Sequence, residues 1–193
     1  VTELAGIVLA GGAARRLSGV DKPMLQIGGK PLLRRAIDAL EGADPLVVVG
    51  PERAGVTGVR WAREDPPGGG PVAALAAGLA VVDAAAWVAV LAGDLAAIRK
   101  STVDRLRAAV GSADGATLVD GEGRPQWLIG VWRTGRLRAV LPAEPANASL
   151  RKVLGALEVV RVPEVAGESA DVDTPEDRLR YSASSQPSYR PWG

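Results

Sequence analysis

The chain of 193 residues contains no cysteine and no histidine. Disulfides, thiolate nucleophiles, Cys/His zinc sites and every mechanism that uses imidazole as acid, base or ligand are therefore excluded. It also lacks charge of one dominant sign: 23 Lys and Arg stand against 22 Asp and Glu, a formal net charge of +1. Proteins that bind nucleic acid or anionic lipid by blanketing it with positive charge are built differently, so neither a nucleic acid nor a membrane is an expected partner. No apolar stretch approaches the roughly 20 residues needed to span a bilayer, and Val1-Thr2-Glu3 carry no basic region ahead of the first short apolar run. The expectation is a soluble, cytoplasmic protein with a small-molecule partner. Its chemistry must rest on carboxylates, Lys, Arg and backbone amides, with or without a hard cation.

What is present is enough apolar material, 47% of the chain, to build one sizeable core. Residues 4–9 form a short aliphatic run that stops abruptly at Ala10-Gly11-Gly12, the pattern of a buried strand feeding a glycine loop. Pro31 suits a first helical position, Leu32, Leu33, Ala36, Ile37 and Leu40 recur at helical spacing, and Gly42 suits the stop. The alternation continues with strands expected at 46–49, 59–61 and 87–91, an alanine-rich helix at 72–82, and a helix at 103–110 capped by Ser101 or Thr102. Two apolar segments, 116–119 and 128–132, flank the turn-rich 120–125 and read as a hairpin or a change of strand direction. Helices at 136–141 and 150–157, a strand at 159–162 and a last helix from Pro175 complete a single domain over 1–181. The polar, proline-bearing 182–193 is expected to be a disordered tail. The alternation predicts a three-layer α/β domain with a mostly parallel sheet.

In such sheets ligands bind outside the carboxyl ends of the strands, and Ala10-Gly11-Gly12 stands at one. Glycines there let backbone N–H groups approach an anion, while Arg15, Arg16 and Lys22 place positive charge in the same loop. This is phosphate-binding chemistry; the alternative is a solvated basic turn. A Walker A loop is excluded, because Gly29-Lys30 is followed by Pro31, which has no hydroxyl for magnesium. Gly68-x-Gly70-x-x-Ala73 matches a dinucleotide fingerprint, but it follows Asp65-Pro66-Pro67 instead of opening directly from a strand.

The run Leu9-Ala10-Gly11-Gly12-Ala13-Ala14-Arg15-Arg16-Leu17-Ser18-Gly19-Val20-Asp21-Lys22 resembles the signature of the molybdenum cofactor guanylyltransferases. The similarity extends through Gly28-Gly29-Lys30-Pro31-Leu32, Glu64-Asp65-Pro66, Gly70-Pro71, Gly93-Asp94-Leu95 and residues 171–177, in the family's order. The resemblance implies the Rossmann-type α/β/α fold of the nucleotide-diphospho-sugar transferases. It also implies magnesium-dependent transfer of GMP from GTP to molybdopterin bearing molybdenum. Leu9, Ala10, Gly11 and Gly12 would cradle the nucleotide, Arg16 and Lys22 would meet phosphates, Asp65 would sit at the guanosine, and Asp94 would hold magnesium. Cofactor-delivery proteins and molybdoenzymes are the further partners it implies. Related cytidylyl enzymes tend to carry Ala-Ala-Gly where this chain has Ala10-Gly11-Gly12, so Gly11 favours GTP.

The chain departs from the family pattern at Ser18, at Ala96-Ala97, at Asp171 and Asp173, which stand where amides are expected, and at Trp127, where proline is usual. Asp94 also reads as a turn aspartate, and Asp65 by itself as the first residue of an Asp-Pro turn. Asp171 and Asp173 either complete a cation site or belong to the helix start that follows, with Thr174 as N-cap and Pro175 first. Trp87 and Trp132 read as core, Trp127 as a ligand neighbour, and Arg151-Lys152 as either a pterin-phosphate contact or a solvated helix face. The remaining functional alternatives are a CTP-dependent or sugar-phosphate nucleotidyltransferase, and a GTP-binding regulatory module without turnover.

Overall fold

A computed structural model describes residues 3–11, 16–17 and 20–171, with the side chains of residues 16, 17 and 20 left out. Its centre is a seven-stranded sheet made from β1 (Leu4–Leu9), β6 (Leu46–Val49), β7 (Arg60–Ala62), β8 (Trp87–Ala92), β9 (Gly115–Val119), β10 (Pro125–Arg133) and β11 (Val159–Pro163). The spatial order is β11-β9-β10-β8-β1-β6-β7. Pairing is parallel for β1 with β6 and β8, for β6 with β7, and for β11 with β9; β10 runs antiparallel to both its neighbours. Among the described residues between β1 and the first helix are four two-residue strands, β2 (Arg16–Leu17), β3 (Val20–Asp21), β4 (Gln26–Ile27) and β5 (Lys30–Pro31), with a 3-10 turn at Lys22–Met24. The helices are α1 (Leu32–Ala39), α2 (Gly70–Val81), α3 (Lys100–Ala109), α4 (Thr134–Val140) and α5 (Leu150–Leu154).

Strand alternation sorts side chains between two faces, and each face has its own helices. Val8, Val48, Ala89 and Leu91 pack with Leu33, Ile37, Val103 and Leu106 from α1 and α3. Ile7, Leu9, Val47, Val49, Val88 and Val90 pack with Leu75, Leu79, Leu137 and Leu154 from α2, α4 and α5. The three layers expected from the sequence are present. Strands β1, β6 and β8 are buried on both sides, which explains why they read as unbroken apolar runs rather than as alternating ones.

The hairpin reading of the 116–132 region is realised in β9 and β10, and its turn is built on Asp120, which accepts hydrogen bonds from the Glu122 and Arg124 amides and the Arg124 guanidinium. The helix expected at 103–110 starts earlier, at Lys100, so neither Ser101 nor Thr102 caps it; Arg99 holds that position without a side-chain cap. Thr102 is fully buried inside the first turn and donates to Glu168 Oε1 at 2.5 Å. The last helix and the 182–193 tail lie outside the described residues.

Glu168 closes the chain onto α3. It also receives Arg105 Nη2 at 2.5 Å and the Val165 amide at 2.9 Å. Burial raises its carboxyl, but the bonds from Arg105, Thr102 and Val165, with the charge of Arg105, outweigh burial and hold it below its ordinary value. Stability from this group is therefore full above the unfolded carboxyl value, about 4.3, and is lost as pH falls through the lower folded value. Thermal midpoints measured at about pH 5 and about pH 3 are expected to differ less in Glu168→Gln than in the parent.

Candidate active site

Residues at the carboxyl ends of the parallel strands β8, β1 and β7 line one cleft of ≈ 360 Å³, with the end of β6 packed behind the glycine loop. Backbone hydrogen bonds extend the sheet past each strand end: Ala10 donates to the Val49 carbonyl at 2.8 Å, Gly93 to Leu9 at 2.9 Å, and Gly50 to Ala62 at 2.9 Å. Ala10, Gly11, Gly93 and Asp94 therefore line the cleft as direct continuations of β1 and β8. Gly50 is required there. Its φ is 149°, and a Cβ would stand 2.9 Å from the Ala10 carbonyl carbon and oxygen, inside the backbone of the glycine loop.

Lys22 enters the cleft from the 3-10 turn, and only 3% of its side chain is exposed. A buried ammonium needs partners, and Lys22 has them. Its Nζ lies 3.0 Å from Asp94 Oδ2 and 3.9 Å from Asp171 Oδ2. Asp171 reaches it because residues 170 and 171 pair with the turn after β8: the Ala96 amide donates to Ala170 at 3.1 Å, and Leu95 bridges Asp171 in antiparallel sense. Ala96, one of the departures noted above, is buried in a small cluster with Ile27 and Leu32 beneath this turn.

Thus Leu9, Ala10, Gly11, Lys22 and Asp94 come together as the sequence suggested, and Asp171 joins them through Lys22. Asp65 is exposed, with Glu64 rather than Asp65 lining the cleft. Gly12, Asp173 and the side chain of Arg16 lie outside the described residues. Trp132 and Trp87 are core residues, and Trp127 packs at the edge of the second core cluster without lining the cleft, where its neighbour Leu128 does. Arg151 and Lys152 are exposed on α5. Among the described residues no group of three or more Asp or Glu side chains is placed to hold a metal ion, and no helix is long and apolar enough to cross a membrane.

One residue escaped the sequence reading altogether. Arg53, with 6% of its side chain exposed, donates Nε and Nη2 to Asp21 at 2.6 and 2.8 Å and Nη2 to the Ala10 carbonyl at 2.9 Å. It ties the loop after β6 both to the glycine loop and to the residue before Lys22. A contact spanning 43 residues leaves no local signal in the sequence.

A model of the MobA-like NTP transferase domain matches residues 6–162. A molybdenum cofactor guanylyltransferase from Bradyrhizobium sp. (strain ORS 278) is 36% identical over 162 residues, covering 79% of this chain and 76% of that protein. A probable molybdenum cofactor guanylyltransferase from Opitutus terrae is 38% identical over 126 residues; the match spans 62% of each chain, a little under two thirds of that relative. The solved molybdopterin-guanine dinucleotide biosynthesis protein A of Archaeoglobus fulgidus superposes with a TM-score of 0.68 at 19% identity, covering 93% of this chain and 97% of that one. At that identity it speaks for the fold. The glycine-lined cleft at the strands' carboxyl ends, the buried Lys22 beside Asp94 and the match over 6–162 carry one conclusion: the chain belongs to the family of MobA-like NTP transferase domains.

Proposed function

We propose that this cleft transfers GMP from GTP to the terminal phosphate of molybdenum-bearing molybdopterin, forming the molybdopterin guanine dinucleotide cofactor. A phosphate oxygen of the acceptor bonds to the α-phosphorus, the bond from that phosphorus to the oxygen bridging to the β-phosphorus breaks, and pyrophosphate leaves with the electron pair. The acceptor phosphate has its second pKa near 6 and is already ionised at neutral pH, so no general base is needed and the lack of histidine is no handicap.

The observation that carries this reading is the Lys22–Asp94 pair, 3.0 Å apart and at the edge of the glycine loop. Bringing two phosphate anions together is the main obstacle: unit charges at 4 Å interact by roughly 4 kcal/mol at an effective dielectric of 20. Lys22 would offset this repulsion by turning from its carboxylates to the incoming phosphates, with Arg16 beside it on the same loop. Leu9, Ala10, Gly11 and Gly12 would present backbone groups to the nucleotide, and Asp65, exposed at the rim beside Glu64, would have to turn inward to stand at the guanosine. Membership of a nucleotidyltransferase family suggests a divalent metal, and we assign magnesium. The donor set fits it: magnesium uses one or two carboxylates and completes its shell with waters and phosphate oxygens, and Asp94 and Asp171 both approach Lys22. Asp94 would hold the ion, with Asp171 and Asp173 completing its surroundings. When bound, it would supply the dication that such a pair of anions requires. The reaction belongs in the cytoplasm, where GTP is made available.

Gly11 supports GTP over CTP. Its φ is not positive, and a Cβ there would come no closer than 3.5 Å to any atom of the described residues, so among them neither backbone nor packing demands glycine. The space is left to the ligand. With magnesium and a molybdopterin acceptor, the protein is expected to release pyrophosphate from GTP and not from ATP, CTP or UTP. Release from CTP instead would make it a cytidylyltransferase. GTP binding without release under any acceptor would make it a regulatory module.

A further inference from the structure

Arg53 takes no part in the reaction above. It is not among the residues that line the cleft, and only 6% of its side chain is exposed. Burying a guanidinium is costly unless its N–H groups are met, and here they are. Nε and Nη2 grip Asp21 at 2.6 and 2.8 Å, Nη1 donates to the Pro51 carbonyl at 3.2 Å, and Nη2 also donates to the Ala10 carbonyl at 2.9 Å. Ala10 and Asp21 flank residues 11–20, and Lys22 follows at once. One side chain from the loop after β6 therefore holds both ends of the glycine loop.

The bond to Ala10 fixes direction as well as position. Along β1 successive peptide groups turn to one neighbouring strand and then to the other. The Leu9 carbonyl accepts from the Gly93 amide on the β8 side, and the Ala10 amide donates to Val49 on the β6 side. The Ala10 carbonyl, held by Arg53, also points to the β6 side. Glycine at 50 leaves it open to the guanidinium, since a Cβ there would stand 2.9 Å from this oxygen. The Ala10–Gly11 peptide is trans, so its N–H points opposite to its carbonyl. The Gly11 N–H is thus turned toward β8, the side on which Gly93, Asp94 and Lys22 line the cleft.

We infer that Arg53 is a positioning residue for the polyphosphate. It aims the Gly11 amide, and through Asp21 the turn that carries Lys22, at the phosphate end of a bound nucleotide without touching the nucleotide itself. This deepens the nucleotidyl-transfer reading above and rests on it. Released from Arg53, the Ala10–Gly11 peptide is free to rotate, and a half-turn sets a carbonyl oxygen where an anion needs a donor. Lysine is no substitute: a single ammonium cannot grip a planar carboxylate by two parallel bonds and hold a carbonyl with the same rigid group.

Equilibrium binding of pyrophosphate and of guanosine to the full chain with magnesium tests this, well below the thermal midpoint of each variant. Arg53→Met is expected to bind pyrophosphate at least roughly tenfold more weakly than the parent, the size of one hydrogen bond to a charged group, and guanosine within about twofold of it. Arg53→Lys keeps the charge beside Asp21 and should remain folded by circular dichroism, yet it is expected to lose nearly as much pyrophosphate affinity. A side chain that only supports the fold gives a different pattern, with both ligands weakened alike or neither. Either pattern in folded Arg53→Lys overturns the assignment, and parental pyrophosphate binding there leaves Arg53 only the task of neutralising Asp21. In these cases the parent still turns GTP over and the proposed function stands. A parent that binds pyrophosphate but releases it from CTP alone ends the GTP reading and leaves Arg53 its role; one that binds no pyrophosphate ends both.

Discussion

Replacing Lys22 by methionine is expected to lower kcat/KM for pyrophosphate release by roughly 100- to 1000-fold, the usual cost of losing one group aimed at transition-state charge. The buried position of Lys22 is what makes the effect large: solvent screens an ammonium poorly when so little of it is exposed. The same change also removes the cation between Asp94 and Asp171. Because those carboxylates keep 20% and 53% of their surface exposed, the stability loss should be about 2 kcal/mol, below the ~3–5 kcal/mol of a fully buried pair. A second substitution separates the two roles. Asp94→Asn in the Lys22→Met background should restore most of the stability, since the orphaned charge is gone, and none of the activity. Chemical denaturation read beside the release assay checks both, and activity surviving either Lys22→Met or Asp94→Ala would remove the residue from the phosphate and metal roles assigned to it.

Gly115→Ala is expected to destabilise the fold by about 3 kcal/mol or more, at the upper end for overpacked cores. A Cβ at 115 would stand 2.3 Å from the ring of Trp132, which is fully buried, and 2.9 Å from the Val131 carbonyl oxygen. Gly130 borders the same ring, with a Cβ there 2.8 Å from Trp132 Nε1. The two glycines clear the face of β9 and β10 on which the indole lies, and the second core cluster packs against the ring, so it has little room to move. For a chain of this size the loss corresponds to a fall in thermal midpoint of roughly 6–12 °C. Trp132→Leu in the Gly115→Ala background should recover part of it. The indole Nε1 has no hydrogen-bond partner among the described residues, so exchanging the ring for an aliphatic side chain forfeits no hydrogen bond. A midpoint unchanged by Gly115→Ala would mean that the ring is not held there.

The agreement between sequence and structure is best where burial and backbone geometry act together. Strands β1, β6 and β8 are aliphatic because both their faces are covered, so each boundary could be placed within a residue from the apolar run alone. Pro31 stands at the N-cap of α1, one residue before the helical position expected for it, and Gly42, with φ 90°, lies just past the helix end. Helix α3 was misplaced at its start because Thr102 has the chemistry of an N-cap but uses its hydroxyl on Glu168, 66 residues away. Local preference gave way to a tertiary partner. The pairing of Asp171 with Leu95 has the same origin, since nothing near residue 171 announces that it will lie against the turn after β8.

From the chain by itself came the layered α/β fold, the glycine loop after the first strand and the lysine and aspartate of the cleft, because strand ends, glycines and formal charges are local properties. Only the folded molecule decided that Lys22 is buried between two carboxylates, that Arg53 grips the Ala10 carbonyl, and that Glu64 rather than its neighbour Asp65 lines the cleft. Each of these depends on which distant backbone a side chain meets, and on the solvent it loses on meeting it. Spacing along a sequence carries neither quantity.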